Sequence, residues 1–164
     1  MRQSVGTIRC PVCHMTEIDC SLSLNYRGID YHFCSHQCLE RFQSRPQLFV
    51  GNPRQGLSAK QMNQEVLKKR HIRFSHVIGD ALRNELAAAL SGLMGINDWT
   101  FESQDLYVIY DLLQVSLEDI EKTIQQAEVK FRGGVLDTLK RGLIHYTEDC
   151  ELDNIAHLTG GGCH

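Results

Sequence analysis

The sequence lacks the features that mark several common classes of protein. No apolar run approaches the roughly 20 residues that span a bilayer, and Met1 to Arg9 contain no apolar core of the kind found in a secretory signal. Internal repeats, glycine-rich phosphate loops, nucleophiles beside a placed base and paired carboxylates on one helix face are absent as well. These absences predict a soluble, cytoplasmic protein that is not an enzyme and does not insert into a membrane.

An excess of positive charge is also missing. The chain has 17 Lys and Arg residues against 20 Asp and Glu residues, which gives a formal net charge of −3. The one basic run, Lys68-Lys69-Arg70 continuing to Arg73, has no accompanying platform of aromatic side chains on which bases could stack. We interpret this run as part of a solvated linker and expect no nucleic-acid partner.

Cysteine, by contrast, is abundant and clustered. Four of the seven cysteines form two close pairs, Cys10-Pro-Val-Cys13 and Cys34-Ser-His-Gln-Cys38. In a reducing compartment, clustered thiols are more often metal ligands than disulfides. Two such pairs can place four sulfurs around one ion, with Zn–S distances of about 2.3 Å in a tetrahedral site. The spacing therefore predicts a metal site formed by Cys10, Cys13, Cys34 and Cys38.

The identity of the ion stays open at this point. Zinc ranks first because closed four-thiolate sites are typical of structural zinc. Cu(I) ranks second because it also prefers soft sulfur and accepts two or three ligands, which permits transfer. An iron–sulfur cluster ranks third, because the common ferredoxin spacings differ from this one. We interpret His14, His32 and His36 as ordinary histidines beside the thiols, and Cys20 as a small packed side chain.

The region around these cysteines reads as a small module. Alternating residues 21–26 and 29–33 predict two strands joined by a tight turn at Arg27-Gly28. Ser35 is placed to cap a short helix that runs through Phe42 and carries a cysteine on its first turn. So small a segment buries little apolar surface, and we expect a bound metal to supply much of its folding free energy.

The rest of the chain shows a different pattern. Hydrophobic periodicity predicts the order β-α-β-β-α-β, which is that of a ferredoxin-like sheet with two helices on one face. Its elements are a strand at 71–77, a helix at 80–94, strands at 99–102 and 106–112, a helix capped by Ser116 that ends near 127, and a short strand at 129–131. The fold class is thus α+β. We assign a metal module at 1–50, a partly helical linker at 51–70, a ferredoxin-like domain at 71–132 and a helical extension at 133–164.

The helical extension carries two further patterns. An apolar stripe on the predicted helix consists of Val135, Leu136, Leu139, Leu143 and Tyr146, and is expected to face the core. Farther along, a cysteine, an asparagine and a histidine share one face, and a triglycine allows the terminal Cys-His to fold back toward it. The speculative ligands of a second soft site are Cys150, His157, Cys163 and His164; the alternative is a simple tail beside a packed helix.

The first module resembles a known family. Cys10-Pro-Val-Cys13-His-Met, Tyr26-Arg-Gly, Tyr31-His-Phe-Cys-Ser-His-Gln-Cys38 and Phe42 are similar to the YHS/TRASH group, whose treble-clef-like modules are associated with heavy-metal transport and sensing. The resemblance covers roughly residues 8–50. Many YHS modules have Asp in place of Cys10 and Gly in place of His14, and the additional thiol favours the four-cysteine variant.

Residues 71–131 resemble the heavy-metal-associated domain of copper chaperones and copper-pumping ATPases. That family binds Cu(I) between two cysteines in the first strand-to-helix loop. The matching loop here, residues 75–80, contains no cysteine, and its Ser and Asp are hard ligands that suit Cu(I) poorly. The resemblance therefore implies the fold but not a second copper site in this loop.

Together these patterns favour a cytosolic accessory, buffer or chaperone protein in copper or zinc handling. Its partner would be a metal-transporting ATPase or another metal-handling protein. One alternative is an interaction protein with a purely structural zinc site, which pairs with a partner or with a second copy as a homodimer. A weaker alternative is an iron–sulfur redox protein.

Overall fold

The computed structural model of the chain contains the hairpin predicted between residues 21 and 33. The structure describes residues 8–16, 18, 21–54, 56–127, 130–131 and 133–158. Strands β1 (Ser23–Tyr26) and β2 (Ile29–His32) pair in antiparallel register. Both turn residues have positive φ, 54° for Arg27 and 79° for Gly28. Two left-handed residues in succession match the twist of a tight hairpin, which explains the glycine.

The hairpin packs on helix α1 (His36–Ser44), which is followed by a single 3₁₀ turn at Pro46–Leu48. As predicted, Ser35 is the N-cap, and its hydroxyl accepts a hydrogen bond from the Cys38 N–H at 3.3 Å. Phe42 is fully buried at the centre of an aromatic cluster. The rings whose centroids lie 5.2 to 6.0 Å from its own belong to Tyr26, Tyr31, Phe33 and Phe49.

The second unit is built on an antiparallel sheet. Strands β3 (Leu67–Arg73), β4 (Ile96–Glu102) and β5 (Asp105–Asp111) are arranged in the order β3-β5-β4. An isolated antiparallel bridge between Phe74 and Phe131 brings the chain back beside β3. This order agrees with the ferredoxin-like arrangement. The predicted final strand at 129–131 is represented by this bridge, since residues 128, 129 and 132 lie outside the described part.

Three further helices complete the α+β fold: α2 (Asp80–Ser91), α3 (Leu117–Gln126) and α4 (Val135–Leu158). The predicted cap of α3 is a full capping box, in which Ser116 and Asp119 exchange side-chain and backbone hydrogen bonds. None of the described helices combines the length and the apolar composition needed to cross a membrane.

Two expectations about the region before β3 were wrong. The strand starts at Leu67 rather than at His71, and no helix forms between residues 51 and 66 in the described part. The basic run is therefore not a solvated linker. Lys68 lies 2.6 Å from Glu151 and Arg70 lies 3.0 Å from Glu148, so these cations connect β3 to α4. The physical reason is long-range pairing with β5 and α4, which sequence periodicity does not report.

The expected orientation of α4 was also wrong. The stripe residues Leu139, Leu143 and Tyr146 are 63 to 66% exposed, whereas Leu152 is fully buried. The contacts of Glu148 determine which face of α4 is turned toward the core. Its buried carboxylate accepts hydrogen bonds from the Tyr110 hydroxyl, the Leu117 N–H and the Arg70 guanidinium. A different rotation of α4 would separate the carboxylate from these three donors and leave the donors unsatisfied.

Helix α1 attaches the first unit to the second. The Gln37 amide exchanges two 2.9 Å hydrogen bonds with the backbone of Met94, donating to its carbonyl and accepting from its N–H. One turn later, the half-buried Arg41 guanidinium donates to the carbonyls of Leu112 and Leu113. Buried residues of both units belong to one continuous hydrophobic core. Helix α1 is thus one of the attachments between the two units, beside the ion pairs of Arg45 with α4.

Arg41→Met should lower the free energy of unfolding by about 2 to 3 kcal/mol, because two backbone carbonyls lose a charged donor. Arg45→Met, at the residue that follows the last residue of α1, is the matched control. Its ion-pair partners Asp149 and Asp153 are 56% and 61% exposed, so the loss should stay below about 1 kcal/mol. Urea unfolding of both variants measures the difference, and equal losses would contradict the role given to Arg41.

Candidate metal centre

A tight turn positions the first two cysteines. The Cys10 N–H donates to the Met15 carbonyl and the His14 N–H donates to the Cys10 carbonyl, each at 2.9 Å. His14 has φ of 64°, a left-handed conformation that reverses the chain immediately after Cys13. The turn directs both thiols to the same side.

The other two cysteines flank the junction between the hairpin and α1. Cys34 follows β2, held there by a 2.9 Å hydrogen bond from the Phe33 N–H to the Leu22 carbonyl. Cys38 lies in the first turn of α1, where the Ser35 cap fixes the start of the helix. Local rules of hairpin and cap formation therefore bring this second pair of thiols toward the first.

The four sulfur atoms form one cluster. All four Sγ atoms lie within 4.8 Å of one another, and they are the group of potential ligands that the described residues bring together. Cys13 Sγ is 3.3 Å from Cys34 Sγ, and Cys34 Sγ is 3.5 Å from Cys38 Sγ. A tetrahedral zinc site with Zn–S of about 2.3 Å has sulfur–sulfur edges of about 3.8 Å. The donor set and its spacing fit one soft or borderline cation.

The electrostatics of the cluster favour a cation. Hydrogen bonds from the thiols of Cys13 and Cys38 lower the pKa of the Cys10 thiol, and the backbone amides of Cys13 and Cys34 lower it further against the opposing effect of burial. Bonding to Cys10 in turn raises the pKa of Cys13 and Cys38. Negative charge on one sulfur thus makes further ionisation unfavourable, and a bound cation removes this penalty while releasing protons.

Backbone amides are the part of this site that no sequence pattern marks. Amide N–H groups donate to sulfur at Cys10 and Cys13, which accept from the amides of Cys13, Cys34 and Met15. These donors depend on the conformation of the turn rather than on side-chain identity. Such outer hydrogen bonds orient ligands and tune a metal site.

The cluster is buried unevenly. Cys10 and Cys38 are completely inaccessible, whereas Cys13 and Cys34 are half-buried. Met15, two residues beyond Cys13, is 41% exposed. The centre therefore has a closed interior and one edge that solvent or a partner protein can reach.

The neighbouring histidines do not join the sulfur cluster. His36 is exposed, and His32 is half-buried with an unpartnered Nδ1. His14 is half-buried as well; burial and the nearby Lys60 lower its pKa, which favours a neutral ring. Cys20 lies outside the described residues.

The predicted second site stays a prediction. Cys150 is half-buried and hydrogen-bonds Tyr146, whose pKa is raised by that contact, while His157 is exposed. Cys163 and His164 lie outside the described residues. In the described part of α4, no group of three potential ligands gathers around Cys150.

The first strand-to-helix loop of the second unit also carries no soft ligand. The Ser75 hydroxyl and His76 Nδ1 are hydrogen-bonded to each other at 2.7 Å, and Asp80 begins α2. The expectation that this loop does not hold Cu(I) stays a prediction.

Comparison with known proteins adds one finding about the first unit. Residues 8–52 match the family model of the YHS domain. All four clustered cysteines lie within the matched range, and the match ends before β3 begins. No curated protein and no solved structure matches the chain. The first unit is therefore similar to the YHS domain over residues 8–52, while the likeness of the second unit to heavy-metal-associated domains remains a resemblance.

Replacing His14 with glycine should raise the free energy of unfolding by about 1 kcal/mol, because glycine adopts the left-handed conformation without steric cost. His36→Gly is the control at a helical position, where glycine should be destabilising. Thermal or urea unfolding measures both changes. Loss of bound metal in the His14→Gly variant would instead show that the imidazole is a ligand.

Proposed function

We propose that the protein handles copper or zinc and that its YHS domain holds a single ion through Cys10, Cys13, Cys34 and Cys38. The observation that carries this proposal is the convergence of four sulfurs within 4.8 Å. Zinc suits the complete four-thiolate set, and Cu(I) suits any two or three of its members. The same geometry thus accommodates both ions considered from the sequence.

Uneven burial supports a transferable ion. An incoming ligand can approach Cys13 and Cys34 at the open edge, while Cys10 and Cys38 remain inside. Ligand-by-ligand exchange at such an edge does not require the domain to unfold. This arrangement fits an accessory, buffer or chaperone protein whose partner is a metal-transporting ATPase or another metal-handling protein in the cytoplasm.

A second candidate is an interaction protein with a purely structural zinc ion. Helix α1 favours it, because Cys38 lies beside Gln37, whose amide is bonded to Met94 of the second unit. An ion at the cysteines would then stabilise the attachment between the two units. Pairing with a second copy belongs to this candidate, and an iron–sulfur redox protein remains the weaker alternative.

Competition with a chelator distinguishes transfer from structure. Protein loaded with one equivalent of Zn(II) or Cu(I) is mixed with an excess of a chromophoric chelator that buffers free metal below the dissociation constant of the site. The proposal predicts complete release within minutes without denaturant, because the edge at Cys13 and Cys34 is open. Retention of the ion until denaturant is added would reject the handling role in favour of structural zinc. Strong visible absorption after anaerobic purification would instead indicate an iron–sulfur cluster.

Cys34→Ser should weaken zinc affinity by more than about 100-fold, because loss of a residue that merely orients a ligand already costs about 10- to 100-fold. Cys150→Ser is the matched control, a half-buried cysteine of α4. Competitive titration measures the affinities and elemental analysis measures the stoichiometry. Wild-type affinity in Cys34→Ser would contradict the site, and a lost equivalent in Cys150→Ser would place a ligand in the C-terminal group.

A further inference from the structure

A cavity of about 240 Å³ lies in the second unit between β3, α3 and α4. It runs along residues 70–73 of β3. The isolated bridge between Phe74 and Phe131 lies next to this end of the strand. The first half of α4 forms the opposite wall. The cavity is large enough for a small organic molecule and shares no residue with the metal centre.

Glu121 lines this cavity with a carboxylate that is incompletely satisfied. Its side chain is 9% exposed, and Oε1 has no hydrogen-bond partner among the described residues. The other oxygen, Oε2, lies 3.1 Å from His145 Nε2. Burial raises the pKa of Glu121. A buried acceptor of this kind calls for a donor, and a positively charged donor would offset the cost of burial most effectively.

Two cations, Lys140 and Arg141, stand at the cavity and form no direct ion pair in the described part of the chain, although Asp137 also lines the cavity and Arg141 interacts electrostatically with Glu121. Lys140 is exposed, and the Arg141 guanidinium lies 4.9 Å above the Phe131 ring. Arg73, in contrast, is held by Asp105 at 2.7 Å. Set against the carboxylate of Asp137 on the same helix, these two cations offer a binding position for an anionic group at the side of the cavity formed by α4.

Part of the remaining wall is apolar, beside Arg70, His71 and Asp137. Ile72 of β3, Leu117 of α3 and Ile144 of α4 line the cavity together with Phe131. A short aliphatic or aromatic side chain would remove this surface from water. Lys140 and Arg141 would repel a simple cation, and Glu121 would repel a simple anion. A ligand that carries only one charge therefore does not complement the whole cavity.

We propose that this cavity binds a small zwitterion of the apolar α-amino-acid class, with its ammonium group at Glu121 and its carboxylate at Lys140 and Arg141. The side chain of the ligand occupies the apolar wall. This function is separate from metal binding and does not depend on it.

Calorimetric titration of the metal-loaded full chain tests the proposal. The probes are L-valine, L-leucine and L-phenylalanine, together with 4-methylpentanoate, which lacks the amine, and 3-methylbutan-1-amine, which lacks the carboxylate. At least one amino acid should bind saturably, with one molecule per chain. If leucine binds, both of its truncated analogues should bind at least about tenfold more weakly than leucine itself. Absence of saturable binding by all three amino acids at millimolar concentration overturns the proposal.

Two variants locate the binding site. Glu121→Gln should weaken amino-acid binding at least about tenfold, because an amide cannot neutralise the ammonium group. Glu118→Gln is the control, since Glu118 is exposed on the same helix and pairs with Lys122. Lys140→Met changes an exposed side chain and tests the carboxylate end without threatening the fold. Unchanged binding in both Glu121→Gln and Lys140→Met would overturn the proposal.

Discussion

Convergence of four thiols is the constraint on which the first unit depends. The sulfurs come from a tight turn, from the end of a hairpin and from the first turn of α1, so any ion between them fixes three segments at once. The constraint continues beyond the YHS domain. Cys38 precedes Arg41 by less than one helical turn, and Arg41 holds the backbone of the second unit at Leu112 and Leu113. An ion bound at these cysteines would therefore be coupled to the attachment of the two units through α1.

The charges of the four sulfurs are the reason why a bound cation would stabilise this arrangement. Neighbouring thiols and backbone amides lower the pKa of the Cys10 thiol, whereas the pKa of Cys13 and Cys38 is raised. Four sulfurs at such short separations cannot all carry charge without a cation between them. The exposure of Cys13 and Cys34 would then determine whether a bound ion can exchange, since these are the half-buried sulfurs of the cluster.

Local rules explain why much of this could be predicted from the sequence. The cysteine spacing, the Arg27-Gly28 turn, the Ser35 cap and the Ser116 cap each depend on a few adjacent residues, and the structure contains all four features. The order of strands in the second unit followed from periodicity for the same reason. The family resemblance added the association of the first module with heavy metals, which the cysteine spacing alone does not imply.

The features that could not be predicted depend on distant partners. The start of β3 at Leu67 is set by pairing with β5, and the rotation of α4 is set by the three donors around Glu148. Gln37 looks like an ordinary polar helix residue until Met94 is placed beside it. Glu121 likewise gives no sign in the sequence of being buried without a full set of partners. Each case requires knowledge of packing between elements that are far apart in the chain.

X-ray absorption spectroscopy of the metal-loaded protein tests the central claim most directly. With one equivalent of zinc bound, the account predicts a single shell of four sulfur atoms at about 2.3 Å from the metal. A shell that contains nitrogen or oxygen ligands, or fewer than four sulfurs around zinc, would contradict the four-cysteine centre.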